Sequence, residues 1–141
     1  MTENLYIGRK TIKAGPMTRL EYNQYRDWDL PDDEDGSDDG YLVEYVDGGQ
    51  PNHPDHEGYI SWSPKNVFEK AYKPCNTPYE RLVIELNELK DKHNKLREFL
   101  ISKPEQELAE IVGAKQLALM RSQCLVMGDY VGILQERMDL F

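Results

Sequence analysis

The stretch YERLVIELNELKDKHNKLREFL, Tyr79 to Leu100, decides the architecture. Tyr79, Leu82, Val83, Leu86, Leu89, Leu96, Phe99 and Leu100 recur at three- and four-residue steps, which predicts a long amphipathic helix. Thr77 is placed to cap it and Pro78 suits its first turn. After a break at SKPEQE and a weakly apolar segment, Leu117, Met120, Cys124, Met127, Tyr130, Val131, Leu134 and Met138 repeat the pattern. Two long helices joined by a turn make an antiparallel hairpin. A hairpin alone is too thin to bury both stripes, so it must pack on something else.

Upstream of this hairpin the period changes from 3.6 to two. Residues near Leu5 to Ala14 alternate and suggest a strand or a broken pair of strands, ended by Gly15-Pro16. Thr18 with Glu21 has capping-box spacing, so a short helix should run to about Arg26. YLVEYV and YISWS are rich in β-formers and read as a long-looped hairpin around DGGQPNHPDHEG. Tyr59 and Trp62 are expected on one edge of the sheet core. PKNVFEKAY, capped by Ser63, then reads as a helix burying Val67, Phe68 and Ala71. The expected fold class is therefore α+β: a small N-terminal antiparallel sheet unit with short helices (1–75), then a long antiparallel helical hairpin (76–141).

The 141 residues carry a formal charge of −9, with 39% apolar and 30% charged side chains. Collagenous, membrane-embedded and fully disordered classes do not have this balance. No apolar run approaches a membrane span and no signal peptide is evident, which predicts a cytosolic protein without a membrane partner. Eight acids and no base fall between Asp27 and Asp39, so most of the negative charge is local. A cationic pocket elsewhere is permitted, while the broad basic face that binds duplex nucleic acid is missing. Cys75 and Cys124 form no ligand spacing and read as free thiols, Cys124 as a small core residue.

Catalytic signatures are absent from the sequence. There is no GxSxG elbow, no glycine-rich phosphate loop and no paired histidine motif of a phosphodiesterase. Asp35, Ser37, Asp39 and Gly40 mimic the start of a calcium loop, but Val46 stands where a bidentate carboxylate is required. His53 and His56 in NHPDHE lack a third ligand, and His93 reads as a solvated histidine. No metal, cofactor or catalytic residue is expected. What remains is a cation and aromatic set on the helices: Tyr79, Arg81, Lys92, Lys95, Phe99, Arg121, Gln123, Tyr130 and Arg137. Arg and Lys can meet phosphate oxygens and aromatic faces can stack on bases, although a packed stripe with a solvated charged face accounts for the same residues.

MTRLEYNQYRDWDLPDDEDGSDDGYLVEY (Met17–Tyr45) followed by GYISWSPKNVFEKAY (Gly58–Tyr72) resembles the N-terminal unit of the first Thoeris anti-defence sponge family of phages. The helical half, with MRSQCLVMGDYVGILQERM (Met120–Met138), resembles the hairpin unit that family shares with the second anti-CBASS sponges. The hairpin pattern falls here on Tyr79, Arg81, Lys92, Leu96, Gln123, Met127, Tyr130, Leu134 and Arg137. The resemblance implies a non-enzymatic protein of the infected host's cytoplasm that binds and withholds cyclic nucleotide immune signals. Its implied ligands are glycocyclic ADP-ribose and, at separate sites, cyclic di- or trinucleotides; its implied assembly is a homodimer grouped into hexamers. Phe99, Arg81 and Arg137 are the implied ADP-ribose contacts, Arg121 and Gln123 the oligonucleotide site, and Tyr79 and Lys92 the dinucleotide positions. Two alternatives are an enzyme that degrades such a messenger and a module that binds a host protein through the hairpin. GGQPNHPDHE (Gly48–Glu57) departs from the family as a lengthened loop, Cys124 replaces the usual Leu, and Gly128 with Gly132 weakens the second helix.

Overall fold

Three short strands and five helices make up the chain in a computed structural model that describes residues 2–141. Strands β1 (Ile12–Pro16), β2 (Gly40–Tyr45) and β3 (Tyr59–Pro64) form one antiparallel sheet in the order β1-β2-β3. Helix α1 (Arg19–Tyr25) lies between β1 and β2, and α2 (Lys65–Ala71) follows β3 directly. The remainder is helical: α3 (Pro78–Ile101), α4 (Glu105–Val112) and α5 (Ala114–Asp139). The chain divides into two compact units between Tyr72 and Lys73. The mixed α+β class expected from the sequence is what the structure has.

In the first unit, β2 is central and pairs Tyr41 with Ser63 and Tyr45 with Tyr59. Because successive side chains alternate faces, Tyr41, Val43 and Tyr45 share one face with Tyr59, while Leu42 and Glu44 share the other with Ile60 and Trp62. Tyr59 and Trp62 are thus on opposite faces, which corrects the sequence reading; residues three apart in a strand cannot share a side. Each face gets its own helix. Trp62 donates its indole N–H to the Met17 carbonyl beside α1 at 2.8 Å, and on the other face Phe68 of α2 stacks on Tyr41 at 4.0 Å. Gly40 must lack a side chain, since a Cβ there would strike the Ser63 carbonyl and the Trp62 ring.

Thr18 and Glu21 form the expected capping box at the start of α1. Three other expectations fail. Leu5, Tyr6 and Ile7 are exposed and outside any strand, because the register of β1 ends where Ile12 meets Tyr45 and β2 offers no further partner. Ser63 belongs to β3, so Pro64 occupies the cap position of α2 without a side-chain cap bond. Helix α2 buries none of its residues fully: Phe68 is half-covered by Tyr41 and Tyr72, and Val67 and Ala71 face outward.

The second unit is built on α3 and α5. Thr77 and Glu80 form a capping box, and Pro78 occupies the first turn. Leu82 and Leu86 of α3 meet Leu134 of α5, with Leu89, Val131 and Met138 around them. At the far end Leu100 meets Leu117 and Leu108, the latter from α4, with Leu96, Phe99, Met120 and Cys124 alongside. This pairing of early α3 with late α5 fixes an antiparallel hairpin. The weakly apolar segment is a helix in its own right, α4, which drives Leu108 into the hairpin core. Gly113 turns the chain between α4 and α5 with φ near +93°, a conformation that favours glycine. His93 is half-buried against Gly128, whose missing side chain leaves room for the ring, so it is not the solvated residue expected.

Helix α5 is long and apolar enough to cross a membrane by length and composition. Its apolar residues divide between two faces. One is the seam against α3; the other carries Leu119, Val126 and Ile133, 66%, 65% and 55% exposed, and Leu140, 87% exposed, continues it at the cap position just past the helix. These four fall at seven-residue steps, the repeat that places residues along a helix–helix seam.

Candidate functional site

Arg81, Lys92 and Phe99 follow one another on α3 at steps of eleven and seven residues, close to three and two whole turns, so they share a flank. Gln123, Tyr130 and Arg137 do the same on α5 at two steps of seven. The phenol of Tyr130 donates to Glu85, which lies four residues after Arg81. That bond places the two flanks on the same side of the hairpin. Six of the nine cation and aromatic residues selected from the sequence therefore border one strip, while Lys95 is paired with Asp91 at 2.9 Å.

The strip has unspent charge. Arg81 donates to the Cys75 carbonyl at 3.0 Å, and no carboxylate pairs with Arg81, Lys92 or Arg137 among the described residues. All three are exposed. Glu85, four residues after Arg81, is engaged by Tyr130. Exposed cations without partners retain their attraction for an arriving anion, and the Arg forks offer paired donors to phosphate.

Not everything selected from the sequence meets there. Arg121 is held by Glu105 of α4, and Tyr79 sits edge-on to Phe141 with ring centroids 5.4 Å apart. Phe99 is half-buried on the Leu100–Leu108–Leu117 cluster, at the opposite end of the hairpin from Arg81 and Arg137. The eighteen residues from Arg81 to Phe99 span about 27 Å of helix at 1.5 Å per residue. One chain does not bring the ring and the two Arg residues together.

On α5 the strip runs beside the apolar stripe. Gln123, Tyr130 and Arg137 each lie four residues after Leu119, Val126 and Ile133, and residues four apart are neighbours on a helix surface. A surface that covers the stripe consequently borders the polar strip.

The first unit contains a cluster that sequence reasoning missed. Glu44 Oε1 and His56 Nδ1 are 2.5 Å apart, and His56 Nε2 is 2.6 Å from the Tyr25 hydroxyl. Gly58 N–H donates to the second Glu44 oxygen at 3.3 Å, and His53 stacks on the Tyr25 ring at 4.4 Å. The hydrogen bond with His56 holds the Glu44 carboxyl below its ordinary range, against a smaller opposing effect of desolvation and with help from Gly58. The cluster joins α1, β2 and the lengthened loop. Its ring stacking and paired bonds occupy the Tyr25 face and both imidazole nitrogens of His56, so its evident task is to clasp that loop. The two histidines were visible in sequence, but nothing local marks Tyr25 or Glu44 as their partners. Asp35, at the head of the calcium-like run, instead accepts from the backbone N–H and hydroxyl of Ser37.

Comparison with known proteins adds one match: a family model described as Sequestin covers residues 76–140, which is α3 to α5 with the Thr77 cap. No curated protein and no solved structure matches the chain.

Proposed function

We propose, from the match of residues 76–140 to the Sequestin family model and the resemblance to phage anti-defence sponges that it supports, that the chain sequesters cyclic nucleotide immune signals without cleaving them. Glycocyclic ADP-ribose is the ligand that the N-terminal resemblance implies; cyclic di- or trinucleotides are secondary ligands. The site of action is the cytoplasm of the infected bacterium. The carrying observation is the strip of Arg81, Lys92, Phe99, Gln123, Tyr130 and Arg137 beside an uncovered heptad stripe, both within the matched segment.

The two surfaces explain each other. A second copy laid antiparallel over Leu119, Val126, Ile133 and Leu140 buries the stripe of both chains at once, as a two-fold interface does. The same packing brings Phe99 of one copy toward Arg81 and Arg137 of the other, closing the separation of about 27 Å that one chain leaves open. In such a shared pocket the ring stacks on a base, Arg81 and Arg137 take phosphate or ribose oxygens, and Lys92 and Gln123 serve the longer cyclic ligands. Such dimers can group into hexamers. Withholding a scarce signal requires a dissociation constant of about 1 nM, or about −12 kcal/mol. Charge-assisted bonds in a pocket closed to water can contribute at that scale.

The test is recovery. The dimer is titrated with glycocyclic ADP-ribose, the loaded protein is heat-denatured, and the released nucleotide is weighed by mass spectrometry. Tight binding with the ligand returned intact supports sequestration. Return of a cleaved product, or a wild-type protein that binds no cyclic nucleotide, rejects it.

A further inference from the structure

The first unit contains an open cleft of about 700 Å³ between α1, the start of the acidic loop and the free edge of β3. That volume is in the range of small-molecule sites. Both tryptophans of the chain, Trp28 and Trp62, line it. Trp28 is 52% exposed, so aromatic surface is available there, beside the Trp62 ring on the sheet face that α1 covers.

Arg26 supplies charge to this cleft. Its guanidinium lies 4.4 Å from the Trp28 ring centre and donates to the Tyr22 hydroxyl at 3.1 Å. No carboxylate pairs with it among the described residues, although eight acids follow within the next thirteen positions. The neighbouring Arg19, by contrast, is neutralised by Glu34 at 2.5 Å.

The edge of β3 supplies the directional part. The Asn52 side chain takes both outward groups of Ile60, accepting from its N–H at 2.7 Å and donating to its carbonyl at 2.9 Å. By the two-residue period, Trp62 turns its own N–H and C=O to the same edge, and no hydrogen bond engages them among the described residues. The next outward residue, Pro64, has no N–H. One donor–acceptor pair therefore stands between two blocked positions. An added peptide strand would need a longer open ladder. A single heteroaromatic edge, with an acceptor beside a donor, needs only this pair.

We infer that this cleft binds a nucleoside monophosphate, its base stacked on the aromatic walls and hydrogen-bonded by the Trp62 backbone, its phosphate on Arg26. This site is in the opposite unit from the helical strip and does not depend on it. The position of both tryptophans gives a direct reading. Full-length protein is titrated with AMP, GMP, CMP and UMP, and with the corresponding nucleosides, following indole emission excited at the red edge where nucleotides do not absorb. At least one nucleotide should change the emission saturably and bind at least tenfold more tightly than its nucleoside. Arg26→Gln should erase that preference, Trp28→Leu, read through Trp62, should weaken both ligands, and Arg137→Ala should leave the titration unchanged. Thermal melts establish that each variant is folded. Two variants keep the test open if one fails to fold. No saturable change with any of the four up to about 5 mM, a weak-binding limit beyond which site occupancy has little meaning, overturns the inference. Equal affinity for nucleotide and nucleoside, or a preference that survives in folded Arg26→Gln, also overturns it. Failure of messenger sequestration in the recovery experiment would leave this titration standing, so the two readings fail separately.

Discussion

Replacing Ile133 with Asp is the sharpest perturbation of the assembly. Ile133 is 55% exposed and outside both core clusters of the hairpin, so the change leaves intact the two clusters that hold α3 to α5. Full burial of such a side chain is worth about 1.5–3 kcal/mol, and a little over half of that area is still available. Each copy therefore has about 1–1.5 kcal/mol to gain at this residue in the proposed dimer, or about 2–3 kcal/mol for the pair. An aspartate there loses that gain and must also be desolvated without a partner opposite it. The expected cost is at least about 3 kcal/mol per dimer, a weakening of more than 100-fold. Sedimentation velocity over a concentration series measures it, with circular dichroism to confirm helicity. Glycocyclic ADP-ribose binding should fall in parallel, because Phe99 and Arg137 then belong to separate molecules. A dimer constant within threefold of wild type, with helicity intact, would refute the argument. So would ligand affinity that persists in the monomer.

Four other substitutions test the fold and its pH response. Leu134→Ala empties the centre of the Leu82–Leu86 cluster and should cost about 2–5 kcal/mol in urea unfolding, whereas Gln135→Ala on the exposed side should cost under about 0.5 kcal/mol. Asn52→Ala leaves both edge groups of Ile60 without their side-chain partner and should destabilise the first unit by about 1–3 kcal/mol, read as faster amide exchange in β3. Glu44 is depressed from its ordinary value of 4.5 mainly by the hydrogen bond with His56, so it stabilises the folded form above pH 4.5 and that contribution is lost as pH falls through its lower folded value. Thermal melts from pH 3 to 7 should show the steeper acid loss in wild type, and Glu44→Gln should flatten it; identical profiles would remove the cluster from the pH response.

The capping box of α1 was legible because Thr18 and Glu21 are three residues apart; at α3 the Thr77 cap and Pro78 were legible, and the structure adds Glu80 as the second half of a box. The hairpin seam was legible for a related reason, since a 3.6-residue period reports one face without knowing what covers it. Contacts between distant segments were not. The Tyr25–His56 bond spans 31 positions and the His56–Glu44 bond spans 12, and each joins residues of unremarkable local context. Helix α4 was missed as an element because its eight residues show too few turns to establish a period; Pro104 and Gly113 mark its limits more clearly than its apolar residues do. The site residues were chosen singly, but their heptad spacing on α5 carries more information than any one of them.

That spacing bears on why α5 has two apolar faces. A helix that served only to close the hairpin would be polar opposite its seam, as surface helices are. Here Leu119, Val126, Ile133 and Leu140 keep an apolar line along the length of the helix, and Gln123, Tyr130 and Arg137 follow it four residues behind. Separate selection for solubility would break the first line, and a ligand strip complete in one chain would not need the two to run in step. A pocket assembled from two copies needs both. In the proposed dimer the exposed stripe fixes the geometry of the pocket, and the cations beside it meet the ligand. The two roles should therefore separate in one direction only: Ile133→Asp should remove assembly and binding together, while Arg137→Ala should remove binding and leave the dimer intact.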